Sequence, residues 1–84
     1  MTDIAATVKG FILERFLPGE NPANLTRTTP LITGGILDSL ATLELVSFIE
    51  QTFGIQLEPY EVDPNRLDTL ERIAELVAAK RNAA

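Results

Sequence analysis

The stretch Gly34-Gly35-Ile36-Leu37-Asp38-Ser39-Leu40 places a turn, two apolar anchors and an Asp-Ser pair directly ahead of a run of good helix formers, Ser39 to Phe53. A serine at a helix start lies where backbone N–H groups lack intrahelical partners and where the positive end of the helix dipole falls. An anionic ester on the Ser39 hydroxyl, a phosphodiester or a simple phosphate, is favoured there. The pair serves equally well as an ordinary N-cap, because Asp and Ser are both preferred at that position. The helix beyond it shifts the balance. At about 100° per residue, Leu45, Val46, Ile49 and Phe53 with Thr42 form one apolar stripe, while Leu40, Leu43, Glu44, Ser47 and Gln51 lie opposite, and Phe48 falls between the two sides. Exposed Leu40 and Leu43 beside Ser39 make a docking surface.

The rest of the composition narrows what that serine can do. The chain has neither Cys nor His, so it supplies no thiol nucleophile, no thiolate metal site and no imidazole base. A hydrolase built on Ser39 would need a general base, and no lysine lies near the motif to replace the missing histidine. The chain is therefore not expected to be an enzyme. Its formal charge is −5, and from Asp38 to Glu75 the acids Asp38, Glu44, Glu50, Glu58, Glu61, Asp63, Asp68, Glu71 and Glu75 face only Arg66 and Arg72. Such an anionic surface repels nucleic acid and acidic lipid and steers in a basic protein partner.

Holding Ser39 in place requires a scaffold, and 84 residues suffice for one modest core, a single domain over residues 1–84. Thr2 can cap a first helix whose stripe is Ile4, Val8, Phe11, Ile12 and Phe16, ended by Leu17-Pro18-Gly19. Turn formers dominate Glu20 to Gly35, a long loop that Leu25, Leu31 and Ile32 can pin to the core. Gly54 ends the second helix. Pro59 and Pro64 limit the next segment to a turn or two around Tyr60–Val62 or Asn65–Leu67. Asp68 with Glu71 has capping-box spacing, and a last helix is expected from about Thr69 to Arg81, with stripe Leu70, Ile73, Ala74 and Val77 and with Lys80 and Arg81 suited to the dipole. No strand alternation is sustained. The expected fold is all-α: a small bundle of three main helices, a short extra helix and a long ordered loop. No segment has the length of a membrane span or the character of a targeting leader, so a cytoplasmic location is expected.

Thr29-Pro30-Leu31, Gly35 to Leu40, Leu45-Val46, Phe53-Gly54-Ile55 and Asp68-Thr69 before an amphipathic helix together resemble the phosphopantetheine-dependent carrier proteins, acyl or aminoacyl. The resemblance covers nearly the whole chain, to Val77, and implies an acyl-carrier-protein-like fold. It implies that a phosphopantetheinyl transferase esterifies Ser39 with 4'-phosphopantetheine from coenzyme A, using magnesium that Asp38 helps to orient. It further implies partner contacts at Leu40, Leu43, Glu44 and Glu50, with Val62, in the short third helix, forming the other wall of that surface. A loading ligase or acyltransferase and downstream biosynthetic enzymes would be the other partners, met by a monomer. Ala41, where fatty-acid carriers usually have an acid, and Ser47, at a usually apolar contact position, depart from the housekeeping fatty-acid pattern. Together with Glu61-Val62-Asp63-Pro64, the resemblance leans towards free-standing aminoacyl, peptidyl or D-alanyl carriers. A specialised acyl carrier of polyketide, fatty-acid or lipid synthesis follows closely. From another class, a noncatalytic helical adaptor that binds a protein through Leu40 and Leu43 also fits the residues.

Overall fold

The computed structural model describes residues 3–83. Its main helices are α1 (Ile4–Phe16), α2 (Ser39–Phe53), α3 (Pro64–Leu67) and α4 (Leu70–Ala83), with single 3-10 turns at Pro22–Asn24 and Pro59–Glu61. No strand occurs among the described residues. The structure is the expected all-helical, acyl-carrier-protein-like bundle: α1 packs on α4 and α2, α2 also meets α4, and α3 lies on α4. The radius of gyration, 11.9 Å, is that of a tightly folded chain of this length.

Each helix is set by its cap and its inward ridge. The expected cap Thr2 lies outside the described residues; Asp3 caps α1, its Oδ1 accepting from Ala6 N at 3.3 Å. Ala5, Val8 and Ile12 are the buried face of α1, with Ile4, Phe11 and Phe16 packed at its margin. In α2 the buried ridge is Ala41, Leu45 and Ile49, an i, i+4 row. Val46, Thr42 and Phe53, expected on the stripe, are only half-buried, because the ridge runs through the small Ala41 on one side of them. Phe48 stacks on Phe11 of α1, with centroids 4.1 Å apart and planes 14° from parallel. Gly54, at φ +66°, ends α2 in the left-handed conformation that costs glycine least.

The segment between α2 and α4 corrects three expectations. Pro59 and Pro64 each open a turn at its first position, where a missing N–H costs nothing. Val62 follows the 3-10 turn and precedes α3, so it is not in a third helix. Glu61, counted above as part of an anionic surface, is only 6% exposed and accepts a hydrogen bond from Lys80 Nζ at 2.8 Å. Lys80 therefore serves an ion pair with a residue 19 positions earlier in addition to the end of its own helix. The expected capping box also fails. Thr69 Oγ1 accepts from Arg72 N at 3.1 Å and caps α4, which starts at Leu70 and runs on to Ala83. Asp68 is thereby released for a different task.

Candidate functional site

Ser39 is the first residue of α2 and is exposed. The residue that caps this helix is Asp38, whose Oδ1 accepts from Ala41 N at 2.7 Å and whose carbonyl accepts from Thr42 N and Thr42 Oγ1. With the cap supplied by its neighbour, the Ser39 hydroxyl stays outside the capping bonds and faces solvent at the positive end of a 15-residue helix. Just before the pair, Leu37 is buried and its N–H donates to the Leu31 carbonyl at 2.8 Å. Ser39 is thus presented from a fixed point.

Beside Ser39 opens a cleft of about 500 Å³. One wall comes from the loop and α2, through Ile32, Leu37, Thr42 and Leu43; the other comes from Val62, Asp63 and Pro64. Val62 and Leu43 thus line the same cleft, Val62 from a connecting turn and not from a helix. Asp63 caps α3 through Arg66 N at 3.1 Å, which fixes that wall locally.

The loop wall is held by Asp68. Its Oδ1 accepts from Ile32 N at 2.8 Å and Thr33 N at 2.9 Å, and its Oδ2 accepts from Thr33 Oγ1 at 2.8 Å. Its own carbonyl accepts from Leu31 N at 2.6 Å. These bonds, the Thr33 N–H foremost, hold the Asp68 carboxyl below its ordinary range. Arg27 adds a further tie, its carbonyl accepting from Glu71 N. Within the turn, a Cβ on Gly34 would collide with the carbonyl oxygen of Pro30, so this close approach admits only glycine.

Of the expected partner residues, Leu40 and Leu43 are indeed exposed, at 69% and 59%. Glu44 is engaged at 2.7 Å with Arg15 of α1. Glu50 is half-buried, and its Oε2 accepts from Leu57 N at 2.9 Å, which closes the turn after Gly54. Tyr60, 69% exposed, was not singled out in the sequence. Its ring lies 5.7 Å from the Arg66 guanidinium, and a lone tyrosine between two prolines gives no periodic signal that would have marked it.

A helical bundle that offers an exposed serine at a helix N-terminus, beside an apolar cleft, defines a protein built to present a covalently attached group. The phosphopantetheine attachment site family matches residues 17–78. The chain belongs to that family: it is a phosphopantetheine-dependent carrier protein, and 4'-phosphopantetheine is its covalent cofactor. A comparison with curated proteins finds no match. The residues present fit such a group, since an accessible hydroxyl, a helix dipole and an open apolar cleft suit a phosphodiester followed by a long arm. Among the described residues, no helix is long and apolar enough to cross a membrane.

Proposed function

We propose that Ser39 carries the arm and that residues 1–84 form a single carrier domain. In this reading a phosphopantetheinyl transferase joins Ser39 Oγ to the phosphorus that bears pantetheine in coenzyme A. The diphosphate bond breaks, the nucleotide bisphosphate departs, and the serine proton passes to a base of the transferase. The arm's terminal thiol then holds an amino acid or acyl group as a thioester, in a chain that has no cysteine of its own to compete for it. The protein performs no chemistry itself. It works as a cytoplasmic monomer between a loading ligase or acyltransferase and later biosynthetic enzymes, converting their encounters into a local search.

The observation that carries this reading is the division of labour between Asp38, which caps α2, and Ser39, which stays exposed beside the cleft. Asp38 retains a second carboxylate oxygen with which to orient the transferase's magnesium. Leu40, Leu43, Glu44 and Val62 surround the attachment point as the recognition surface, with Glu50 contributing mainly through the turn it closes. Ala41, two residues after Ser39 where housekeeping fatty-acid carriers usually have an acid, supports an aminoacyl or peptidyl cargo. The apolar cleft walls support a specialised acyl carrier as the second reading.

The test is intact mass after incubation with coenzyme A, magnesium and a broad-specificity transferase. One phosphopantetheine per chain is expected, and none on Ser39→Ala. Modification at a different residue refutes Ser39 as the attachment point, and no modification of folded protein leaves the adaptor reading. The mass of protein taken from its native host, with cargo attached, separates amino acid from acyl chain.

A further inference from the structure

We infer that Asp68 is a positioning residue for the modification of Ser39, an inference that rests on the Ser39 reading above. Asp68 lies between α3 and α4, where its N–H donates to the Pro64 carbonyl and closes α3. Its carboxylate and carbonyl together take four hydrogen bonds from Leu31, Ile32 and Thr33. One residue therefore joins both walls of the cleft: Ile32 on the loop side, and the helix opened by Pro64 on the other. The connection continues to the serine. Leu31, held by Asp68, accepts from Leu37 N at 2.8 Å, and Leu37 is two residues before Ser39.

The loop has little else to fix this turn. Ile32 is only half-buried, while Thr33, Gly34 and Gly35 are exposed, and the Gly35 N–H bond to the Ile32 carbonyl is internal to the turn. Without the Asp68 acceptors, Ile32 N and Thr33 N must turn to water, and the apolar anchor Leu31 loses one of its bonds. A transferase that docks on Leu40, Leu43 and the cleft mouth then meets an ensemble in place of one surface. If the freed loop holds the competent arrangement about a tenth of the time, apparent affinity falls about tenfold. The attacking hydroxyl and its helix are untouched, so the loss appears in KM and not in kcat.

The experiment compares wild type, Asp68→Ala, Asp68→Asn and Thr33→Val, using transferase kinetics from coenzyme A and amide hydrogen exchange on the unmodified proteins. Asp68→Ala should raise KM for the carrier about tenfold with kcat retained. Exchange should quicken at Leu37 and Gly35, whose acceptors are Leu31 and Ile32 and not Asp68 itself, while Ile73 in α4 keeps its protection. Asp68→Asn preserves an acceptor for Ile32 N and Thr33 N and should restore most of both readouts; Thr33→Val, which removes only the hydroxyl bond, should fall between. Unchanged KM in Asp68→Ala overturns the inference. So does a uniform loss of protection, Ile73 included, that Asp68→Asn fails to repair, because Asp68 would then be a general structural staple. If wild type itself takes up no arm, the Ser39 reading fails first; normal wild-type kinetics with unaltered Asp68→Ala kinetics fault Asp68 alone.

Discussion

Lys80 Nζ donates to Glu61 Oε1 at 2.8 Å, tying the last helix to the turn that precedes the cleft wall. The same Glu61 oxygen accepts from Glu58 N at 2.8 Å. The Lys80 hydrogen bond first, then the Glu58 N–H, hold the Glu61 carboxyl below its ordinary value of 4.5. In return, Glu61 raises Lys80 above its ordinary 10.5. Asp68 is held below 3.8 by its loop partners. For the two acids the unfolded chain takes up protons at higher pH than the folded one, so their contribution is present above the ordinary values and is lost as pH falls through the lowered ones. The contribution of Lys80 is complete below 10.5 and disappears only as pH rises past its raised value.

Stability should accordingly be flat through neutral pH and decline on acidification once pH falls below the ordinary carboxylate values of 4.5 and 3.8. Urea midpoints measured as a function of pH will show it. Glu61→Gln and Asp68→Asn should each begin less stable at neutral pH and lose less on acidification than wild type. An acid slope identical in all three proteins would mean that other carboxylates carry the effect.

The sequence made the large elements legible because their signals are local. Turn formers bound α1, Gly54 marks the end of α2, and the i, i+4 apolar rows of α1 and α4 survive into the core. Ser39 was likewise marked by its place at a helix start. The roles of Glu50, Glu61 and Asp68 were not legible, since a carboxylate in sequence carries no sign of whether it faces solvent or an N–H elsewhere. Asp68 shows why most clearly: Asp three residues before Glu is the spacing of a cap, yet Thr69 takes the cap and Asp68 reaches a loop more than thirty residues earlier. Only the packing of the loop on α3 and α4 decides that contest.

Glu44 and Glu50, which the sequence treats alike, should separate on charge reversal. The Arg15–Glu44 pair is exposed at both ends, and such pairs contribute about 0.2–1 kcal/mol. Glu44→Lys should therefore melt near wild type while slowing transferase or ligase encounter, most at low salt. Glu50→Lys removes the acceptor of a part-buried Leu57 N–H, and stranding such a group costs about 1–3 kcal/mol. Thermal melts and salt-dependent loading rates on both variants will distinguish a recognition charge from a structural one.

The turn before Ser39 should tolerate no side chain at Gly34. Gly34→Ala forces its Cβ onto the Pro30 carbonyl oxygen, and backbone, unlike a flexible side-chain tip, has little room to yield. The local turn should deform, slowing arm transfer to Ser39, while α1 and α4 retain their helical circular dichroism. A variant with wild-type transfer and an unaltered Leu37 amide shift would show that the turn adapts freely.

Leu43 and Ile49 lie on opposite sides of α2, and truncating them should damage different properties. Ile49 and Leu45 are fully buried, and cutting a buried Ile or Leu to Ala costs about 2–5 kcal/mol, a large part of the stability available to a small domain. Leu45→Ala and Ile49→Ala should shift denaturant midpoints far down or fail to fold. Leu43 is 59% exposed at the cleft rim, so Leu43→Ala leaves no comparable cavity and should unfold near the wild-type midpoint. What it removes is apolar surface that a docking enzyme would cover, so arm transfer and loading should slow. Leu40→Ala should behave in the same way, since that side chain is exposed on the turn that carries Ser39. Denaturant midpoints and transferase rates on all four variants test the assignment together. If Leu43→Ala is as destabilising as Ile49→Ala while its folded fraction is modified at the normal rate, the recognition surface lies elsewhere, although Ser39 can still hold the arm.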